Sequence, residues 1–262
     1  MTSLAVLADI HGNSVALQAV LNDLHAQGGA DYIISLGDLA VFGPDPVGVI
    51  NILRNYEPIF HVMGNTDRYL VEKQYPVETG KYNWEAQVLA SFPWTASQLG
   101  PSHLQFLADL PRLQLLFFSP EHAILAVHGS PRSDEENIRP DTPDAELYRM
   151  LPESSAYNLI LCGHTHLPLN RLLEGRHVVN VGSVGLPFDG CPRASYALIQ
   201  TQPGGHYRIE FRRVTYNIEK VVNQLFVVGH PAAEVQAHNL RSARPMGNKL
   251  IYTKEMRHDH RL

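Results

Sequence analysis

The feature that most constrains this sequence of 262 residues is the way its short apolar runs end. Five of them are followed directly by aspartate, histidine or asparagine next to glycine. The five endings are Asp9-Ile10-His11-Gly12-Asn13, Gly37-Asp38, Gly64-Asn65-Thr66-Asp67, His128-Gly129-Ser130 and Gly163-His164-Thr165-His166. Glycine permits tight turns and close approach of the backbone at such positions. The pattern is typical of strands that deliver polar side chains to one edge of a sheet.

Over the first two-thirds of the chain, these runs alternate with helical patterns, which predicts βα units around a substantially parallel sheet. The predicted strands are 4–8, 32–36, 59–63, 123–127, 158–162 and 178–181. Helices are predicted over 14–26, where apolar residues recur at helical spacing, and over 46–54, which starts at a proline. Residues 83–110 have the pattern of two helices broken around Leu99-Gly100-Pro101.

After residue 165 the pattern changes to strands joined by turns. Runs 167–173 and 177–181 flank Glu174-Gly175-Arg176, and runs 195–200 and 207–215 flank Pro203-Gly204-Gly205, so two hairpins are predicted. A helix is predicted over 217–227. Because no linker rich in proline, serine or glycine divides the chain, we expect a single domain over 1–262 with two sheets.

Composition narrows the classes of partner. A formal net charge of −5 disfavours extended nucleic-acid binding and attachment to an anionic membrane. Two cysteines, Cys162 and Cys191, cannot supply a disulfide framework, and the N-terminus lacks the basic start of a secretory signal. A cytoplasmic protein is therefore predicted. Residues 241–262 are basic, with six Lys or Arg against two Asp or Glu. A solvated or subunit-contacting terminus is preferred to a polyanion clamp there, and homo-oligomerisation stays open.

The strand ends supply seven potential metal ligands, which are Asp9, His11, Asp38, Asn65, His128, His164 and His166. Carboxyl ends of parallel strands line a common crevice, so these side chains are expected to converge. Mixed imidazole, carboxylate and amide donors suit Mn, Fe, Ni or Zn better than Ca or Mg. Seven donors exceed the four of one tetrahedral site and match two metals that share a carboxylate. Two metals about 3.5–4 Å apart can clamp a phosphoryl group and activate a bridging water as hydroxide, which predicts hydrolysis of a phosphate ester.

In this order, the seven residues resemble the ligand set of the calcineurin-like metallophosphoesterases. The resemblance implies that Asp9, His11, Asp38 and His166 hold one metal, and that Asp38, Asn65, His128 and His164 hold the second. Asp38 is then the bridging ligand. The implied fold is a four-layer α/β/β/α sandwich of two mixed sheets, with a helical insertion around 68–120. The resemblance covers residues from about 3 to 216 and leaves a C-terminal helix and basic tail over 217–262.

Within that family, the chain is most similar to the small bacterial and archaeal phosphodiesterases, on the strength of Gly43-Pro44-x-Pro46 and of the glycine-rich segment 180–185. The implied catalytic residues are Asp38, Asn65 and His128. Candidate substrate contacts are Asn13, Asp67, Arg132 and Ser183. Each has a second interpretation: Asn13 and Asp67 as residues that cap a helix or orient a loop, Ser183 as part of a chain-reversing turn, and Arg132 as a solvated loop residue.

One position departs from the family pattern. Many members have histidine after Gly-Asn, as a proton donor to the leaving group, whereas this chain has Thr66, which has no titratable group near neutral pH. The leading hypothesis is a dinuclear-metal phosphoesterase acting on a small phosphodiester or phosphomonoester, with nucleotides among the candidates. The alternatives are a non-catalytic interaction scaffold of the same fold and a protein Ser/Thr phosphatase.

Overall fold

Two five-stranded sheets form the centre of the fold. The computed structural model describes residues 2–119, 122–152, 157–202 and 206–248. The strands, numbered along the chain, are β1 (Ser3–Leu7), β2 (Tyr32–Ser35), β3 (Ile59–His61), β4 (Leu113–Ser119), β5 (His122–Val127), β6 (Leu159–Cys162), β7 (Leu169–Leu173), β8 (Arg176–Asn180), β9 (Ala194–Gln202) and β10 (His206–Val214).

Both sheets are mixed, with a parallel centre. The first has the order β10-β9-β1-β2-β3, in which β1, β2 and β3 are parallel, β9 is antiparallel to β1, and β10 is antiparallel to β9. The second has the order β4-β5-β6-β8-β7, in which β5, β6 and β8 are parallel, and β4 and β7 are antiparallel edges. The parallel strands place their carboxyl ends at the same end of the molecule.

The helices are α1 (Ser14–Ala26), α2 (Pro46–Arg54), α3 (Asn65–Glu72), α4 (Glu85–Leu89), α5 (Ser91–Gln98), α6 (Pro101–Ala108), α7 (Asp144–Met150), α8 (Ile218–Val227) and α9 (Ala233–Ser242). Side-chain caps explain where several begin. Asn13 accepts a hydrogen bond from the Ala16 amide ahead of α1, and Asp45 accepts one from the Gly48 amide ahead of α2. A short 3₁₀ helix, Met246–Asn248, follows α9. None of the described helices combines the length and apolar character needed to cross a bilayer.

Three apolar clusters define four layers. One lies between the sheets and joins residues such as Val6 and Ile34 of the first sheet to Ala126 and Leu161 of the second. The outer face of the first sheet packs against α1, α2, the helices of the 65–108 region, α8 and α9. On the second sheet, the outer face packs against α7. The predicted α/β/β/α sandwich of two mixed sheets is confirmed.

Local details differ from the predictions. Residues 83–110 form three helices, α4 to α6, where two were predicted. The first predicted helix is divided into α4 and α5, which only Ala90 separates. The last part of the predicted helical insertion, 68–120, is strand β4. Its sequence is a nearly continuous apolar run, which lacks the alternation of apolar and polar residues that indicates a strand. Helix α9 was not predicted, since its buried face contains the polar residues Gln236 and Asn239. The predicted turn over 203–205 and the tail over 249–262 lie outside the described residues.

Candidate metal centre

Six of the seven predicted ligands form two compact groups at the carboxyl ends of the parallel strands. The first half-site consists of Asp9, His11 and His166, and the second of Asp38, His128 and His164. Within each group, one donor atom from every side chain lies within 4.8 Å of the others. All six residues are buried, and His164 has the largest exposed fraction, 6%. Charges in such a place are poorly screened by water, so their mutual effects are strong.

Asp38 lies between the half-sites. Its Oδ2 atom is 3.7 Å from Nε2 of His11, and its Oδ1 atom is 3.5 Å from Nε2 of His128. The seventh candidate, Asn65, has its Oδ1 atom 3.0 Å from the same nitrogen of His128. The structure therefore brings all seven candidates together, with one carboxylate in contact with both groups.

The histidine tautomers fit a bound cation in the first half-site. Nδ1 of His11 donates to the carbonyl of Val41, and Nδ1 of His166 donates to that of Leu186. In the neutral rings, each Nε2 atom then carries a lone pair, yet these two atoms face each other 3.0 Å apart. Two converging lone pairs repel unless a cation lies near both. Nδ1 bonded to a carbonyl with Nε2 left for the metal is also the usual arrangement of metal-binding histidines.

The second half-site also contains a nitrogen atom that is suited to bind a cation. Nε2 of His164 is buried and has no hydrogen-bond partner among the described residues. Burial lowers the pKa of His164 to about 3 and that of His11 to about 4, and it lowers the pKa of His166 well below its ordinary value. These rings are neutral at pH 7, as ligands must be. The residues present thus fit metal ions in both half-sites.

The pKa of His128 is shifted in the opposite direction. Burial lowers its pKa, but the charges of Asp38 and Asp9 outweigh that effect and raise it to about 10. Burial acts in the other direction on Asp38, whose pKa it raises, but the nearby histidines outweigh burial and hold that pKa below its ordinary value. A proton on His128 therefore balances the Asp38 carboxylate where a cation would otherwise do so, and metal binding would release that proton.

The backbone at the ligands is unusual. Five of the seven candidates have left-handed backbone conformations, with φ of 53° at Asp9, 51° at His11, 56° at Asp38, 67° at His164 and 58° at His166. Such conformations are rare outside glycine and persist only where the surroundings enforce them. Hydrogen bonds between the β1 and β2 loops do so here, including Asp9 N to Gly37 O at 3.1 Å. Strain of this kind clusters at functional sites.

Comparison with known proteins identifies the family. The family model described as the calcineurin-like phosphoesterase superfamily domain matches residues 2–204. The chain belongs to this superfamily. Membership makes it a metal-dependent phosphoric ester hydrolase, which agrees with two groups of buried metal-binding side chains.

Three relatives illustrate the range of the superfamily. A metallophosphoesterase structure from Sphaerobacter thermophilus is 30% identical, covers 92% of this chain and 99% of its own, and superposes with a TM-score of 0.71. An uncharacterized protein of Methanocaldococcus jannaschii is 29% identical over 85% of this chain and 91% of its own. The phosphodiesterase YfcE of Escherichia coli is 28% identical over 76% of this chain and 88% of its own.

Two residues of this phosphoesterase, Thr66 and Asp67, support Asp38, and the sequence did not indicate the role of Thr66. Thr66 donates to Oδ1 of Asp38 from its amide, at 2.9 Å, and from its hydroxyl, at 2.8 Å. Asp67 accepts hydrogen bonds from the amides of Asp38, Leu39 and Gly64, at 2.8 to 3.1 Å. The carboxylate of Asp67 therefore orients the loop after β2, which is one of its three predicted roles beside orienting a substrate and capping the next turn.

The other predicted substrate contacts are already bonded to protein groups. Both polar atoms of Asn13 are engaged, Oδ1 with the Ala16 amide and Nδ2 with the Gly185 carbonyl. Ser183 donates to the Asp9 carbonyl at 2.7 Å and is fully buried. Arg132 pairs with Glu136 on the surface. A substrate role for these three residues and for Asp67 stays a prediction.

A buried charge network supports the second half-site from outside. Arg68 at the start of α3 pairs with Asp134 and Glu135, each at 2.6 Å. The Glu135 side chain also hydrogen-bonds with Tyr69, which in turn bonds with Asn65. The backbone of Glu135 bonds with the His164 ring. Two candidate ligands are thus fixed through a single acidic residue far from them in sequence.

Proposed function

We propose that this phosphoesterase hydrolyses a small phosphodiester or phosphomonoester at a dinuclear metal centre. Its ligands are Asp9, His11, Asp38, Asn65, His128, His164 and His166. The observation that carries the proposal is the position of Asp38, whose two carboxylate oxygens each face a different buried group of donors. Similarity to YfcE, which is named a phosphodiesterase, supports a diester as substrate.

Two divalent metals held by these residues would supply a nucleophile at neutral pH and would balance the charge that develops on the phosphoryl oxygens. The chain contributes fixed positions for the donors. Nδ1 hydrogen bonds to backbone carbonyls set the rings of His11, His128 and His166, with His128 bonded to Leu36. Because the ligands are buried, the negative charge of Asp38 would attract a bound cation with little screening. The donor set favours Mn, Fe, Ni or Zn, with Mn as our first choice for assays.

Thr66 shapes the proposed substrate range. Its hydroxyl proton is committed to Asp38, and it has no ionisable group that could protonate a leaving alkoxide near neutral pH. We therefore expect a preference for substrates whose leaving group is stable without a proton, such as aryl esters, which release a phenolate, or nucleotide anhydrides, which release a phosphate. Rates across a series of diesters should fall steeply as the pKa of the leaving alcohol rises.

The test is metal analysis of the purified protein, with hydrolysis of bis-p-nitrophenyl phosphate measured with and without added Mn²⁺. About two metals per chain and diester turnover are expected. A phosphopeptide assayed in parallel separates this proposal from a protein phosphatase. Turnover of the phosphopeptide without turnover of the diester would overturn it. Metal-free protein under metal-replete conditions would instead favour a scaffold without catalytic activity.

A further inference from the structure

A threonine hydroxyl at the start of α3 is bonded to the carboxylate that both half-sites share. Thr66 is the second residue of α3, and its amide is among the first N–H groups of the helix, which have no partner within it. The residue is 1% exposed and Asp38 is 3% exposed, so both groups are largely shielded from solvent. Their contact is part of the buried structure.

The two hydrogen bonds from Thr66 distinguish the oxygens of Asp38. Both bonds end on Oδ1, at 2.9 and 2.8 Å, rather than one on each oxygen. Oδ1 is the oxygen next to His128, and Oδ2 is the oxygen next to His11. Holding Oδ1 in place therefore fixes the rotation of the carboxylate plane, so that one oxygen is presented to each half-site.

We propose that Thr66 is a positioning residue, whose hydroxyl fixes the carboxylate of Asp38 in the orientation that serves both metals. The inference rests on the dinuclear centre proposed above. Any residue at position 66 other than proline would supply the amide bond, so the hydroxyl is the part that depends on the side chain. Threonine is suited to this place, because its β-branched side chain has few rotamers and cannot easily turn the hydroxyl away.

Thr66→Val tests the hydroxyl directly, since valine has nearly the same shape without the donor. We expect the variant to bind Co²⁺ and Mn²⁺ at least tenfold more weakly than the wild-type protein, within the range of about 10–100-fold that outer-sphere changes produce. The visible absorption spectrum of bound Co²⁺ should also change, because it reports the arrangement of the ligands. Thr66→Ser, which keeps the hydroxyl, should restore both affinity and spectrum.

Thr95→Val is the matched control. Thr95 of α5 is fully buried, and its hydroxyl has no hydrogen-bond partner among the described residues. The substitution there removes the same atoms from a buried site without touching Asp38, and metal binding should be unchanged. A similar loss of affinity in both valine variants would show a general packing effect and overturn the proposal.

The outcomes separate this inference from the proposed function. Wild-type affinity and spectrum in Thr66→Val would overturn the role of Thr66 while leaving the metal centre intact. A wild-type protein that binds no metal would overturn the centre and this inference together. Should Thr66→Val not fold, Thr66→Ser and Thr66→Ala differ by a single hydroxyl, and equal metal affinity in these two variants would refute the positioning role.

Discussion

The two half-sites of the proposed centre are supported in different ways. In the first, backbone carbonyls accept from His11 and His166, and aromatic rings cover the histidines. Phe188 stacks on His166, with ring centroids 4.5 Å apart and an angle of 9° between the ring planes, and Phe42 lies 5.3 Å from His11. The histidines of the second half-site also bond with backbone groups, His128 with Leu36 and His164 with Glu135. This half-site depends in addition on side chains, namely Thr66, Asp67 and the network around Glu135.

This difference has a practical consequence. A backbone carbonyl keeps its position whatever side chain its residue carries, so the support of the first half-site tolerates most substitutions nearby. The additional side-chain support of the second half-site can be weakened by changing one residue. We therefore expect the second half-site to lose metal first when residues around the centre are altered, although Asp38 couples the two.

The largest effect is expected for Asp38→Ala, which removes a contact from both half-sites at once. Metal content should fall from about two per chain to near zero, and diester hydrolysis should be lost. Asp109→Ala, which removes an exposed carboxylate at the end of α6, is the control and should bind metal normally. Full metal content in Asp38→Ala would show that this residue is not the shared ligand.

Removing one histidine from each half-site should separate them. His166→Ala is expected to lose the metal of the first half-site, and His164→Ala that of the second, so each variant should retain about one metal per chain. Metal analysis together with the spectrum of bound Co²⁺ checks this, because the two remaining sites have different ligands. Identical spectra for the two singly loaded variants would contradict the proposed division of ligands between the half-sites.

A smaller effect is expected when alanine replaces one glycine beside each half-site, Gly163 beside the first and Gly64 beside the second. A Cβ atom at Gly64 would lie 2.2 Å from Oδ1 and 2.3 Å from the amide nitrogen of Asp38. At Gly163 the nearest atoms would be 2.9 Å away, in the side chains of Ala8 and Asp9. Backbone atoms yield less easily than side chains, so Gly64→Ala should destabilise the metal-free protein more, near the upper end of about 1–3 kcal/mol for overpacking. Urea unfolding midpoints measure the difference, and a larger shift for Gly163→Ala would contradict it.

The smallest effects separate side-chain support from aromatic packing. Glu135→Gln keeps the shape of the side chain but weakens its bonds to Arg68 and Tyr69, so metal affinity of the second half-site should fall by about tenfold. Phe188→Leu keeps an apolar cover on His166 and should change affinity of the first half-site much less. Titration with Mn²⁺ measures the affinities for the first and the second metal separately. An equal loss of metal affinity in both variants would contradict the proposed difference in support between the half-sites.

The sequence predicted the parts of the molecule that depend on local pattern. Helices α1 and α2 have the predicted bounds, and the six strands of the parallel centre lie within about two residues of the predicted runs. The convergence of the candidate ligands followed from a general rule, that parallel strands end at a common edge. Glycine next to each polar strand end was the signal that made the rule applicable.

What the sequence did not predict depends on contacts between distant segments. The hydroxyl of Thr66 has its role only because α3 begins beside the loop after β2. Glu135 is one of several acidic residues in its loop, and its burial against Arg68 is a property of the assembled fold. Helix α9 buries Gln236 and Asn239, which a hydrophobic pattern assigns to the surface.

The C-terminal helices determine how far the chain can be shortened without exposing its core. The family model ends at residue 204, yet Val221, Val222 and Leu225 of α8 and Leu240 of α9 are buried in the same cluster as α1 and α2. Gln236 and Leu240 line a small cavity with His11. An expression fragment trimmed to the family boundary would expose this apolar surface and one wall beside a candidate ligand. Such a fragment should aggregate, so the part of the chain that folds stably extends beyond the part that the family model matches.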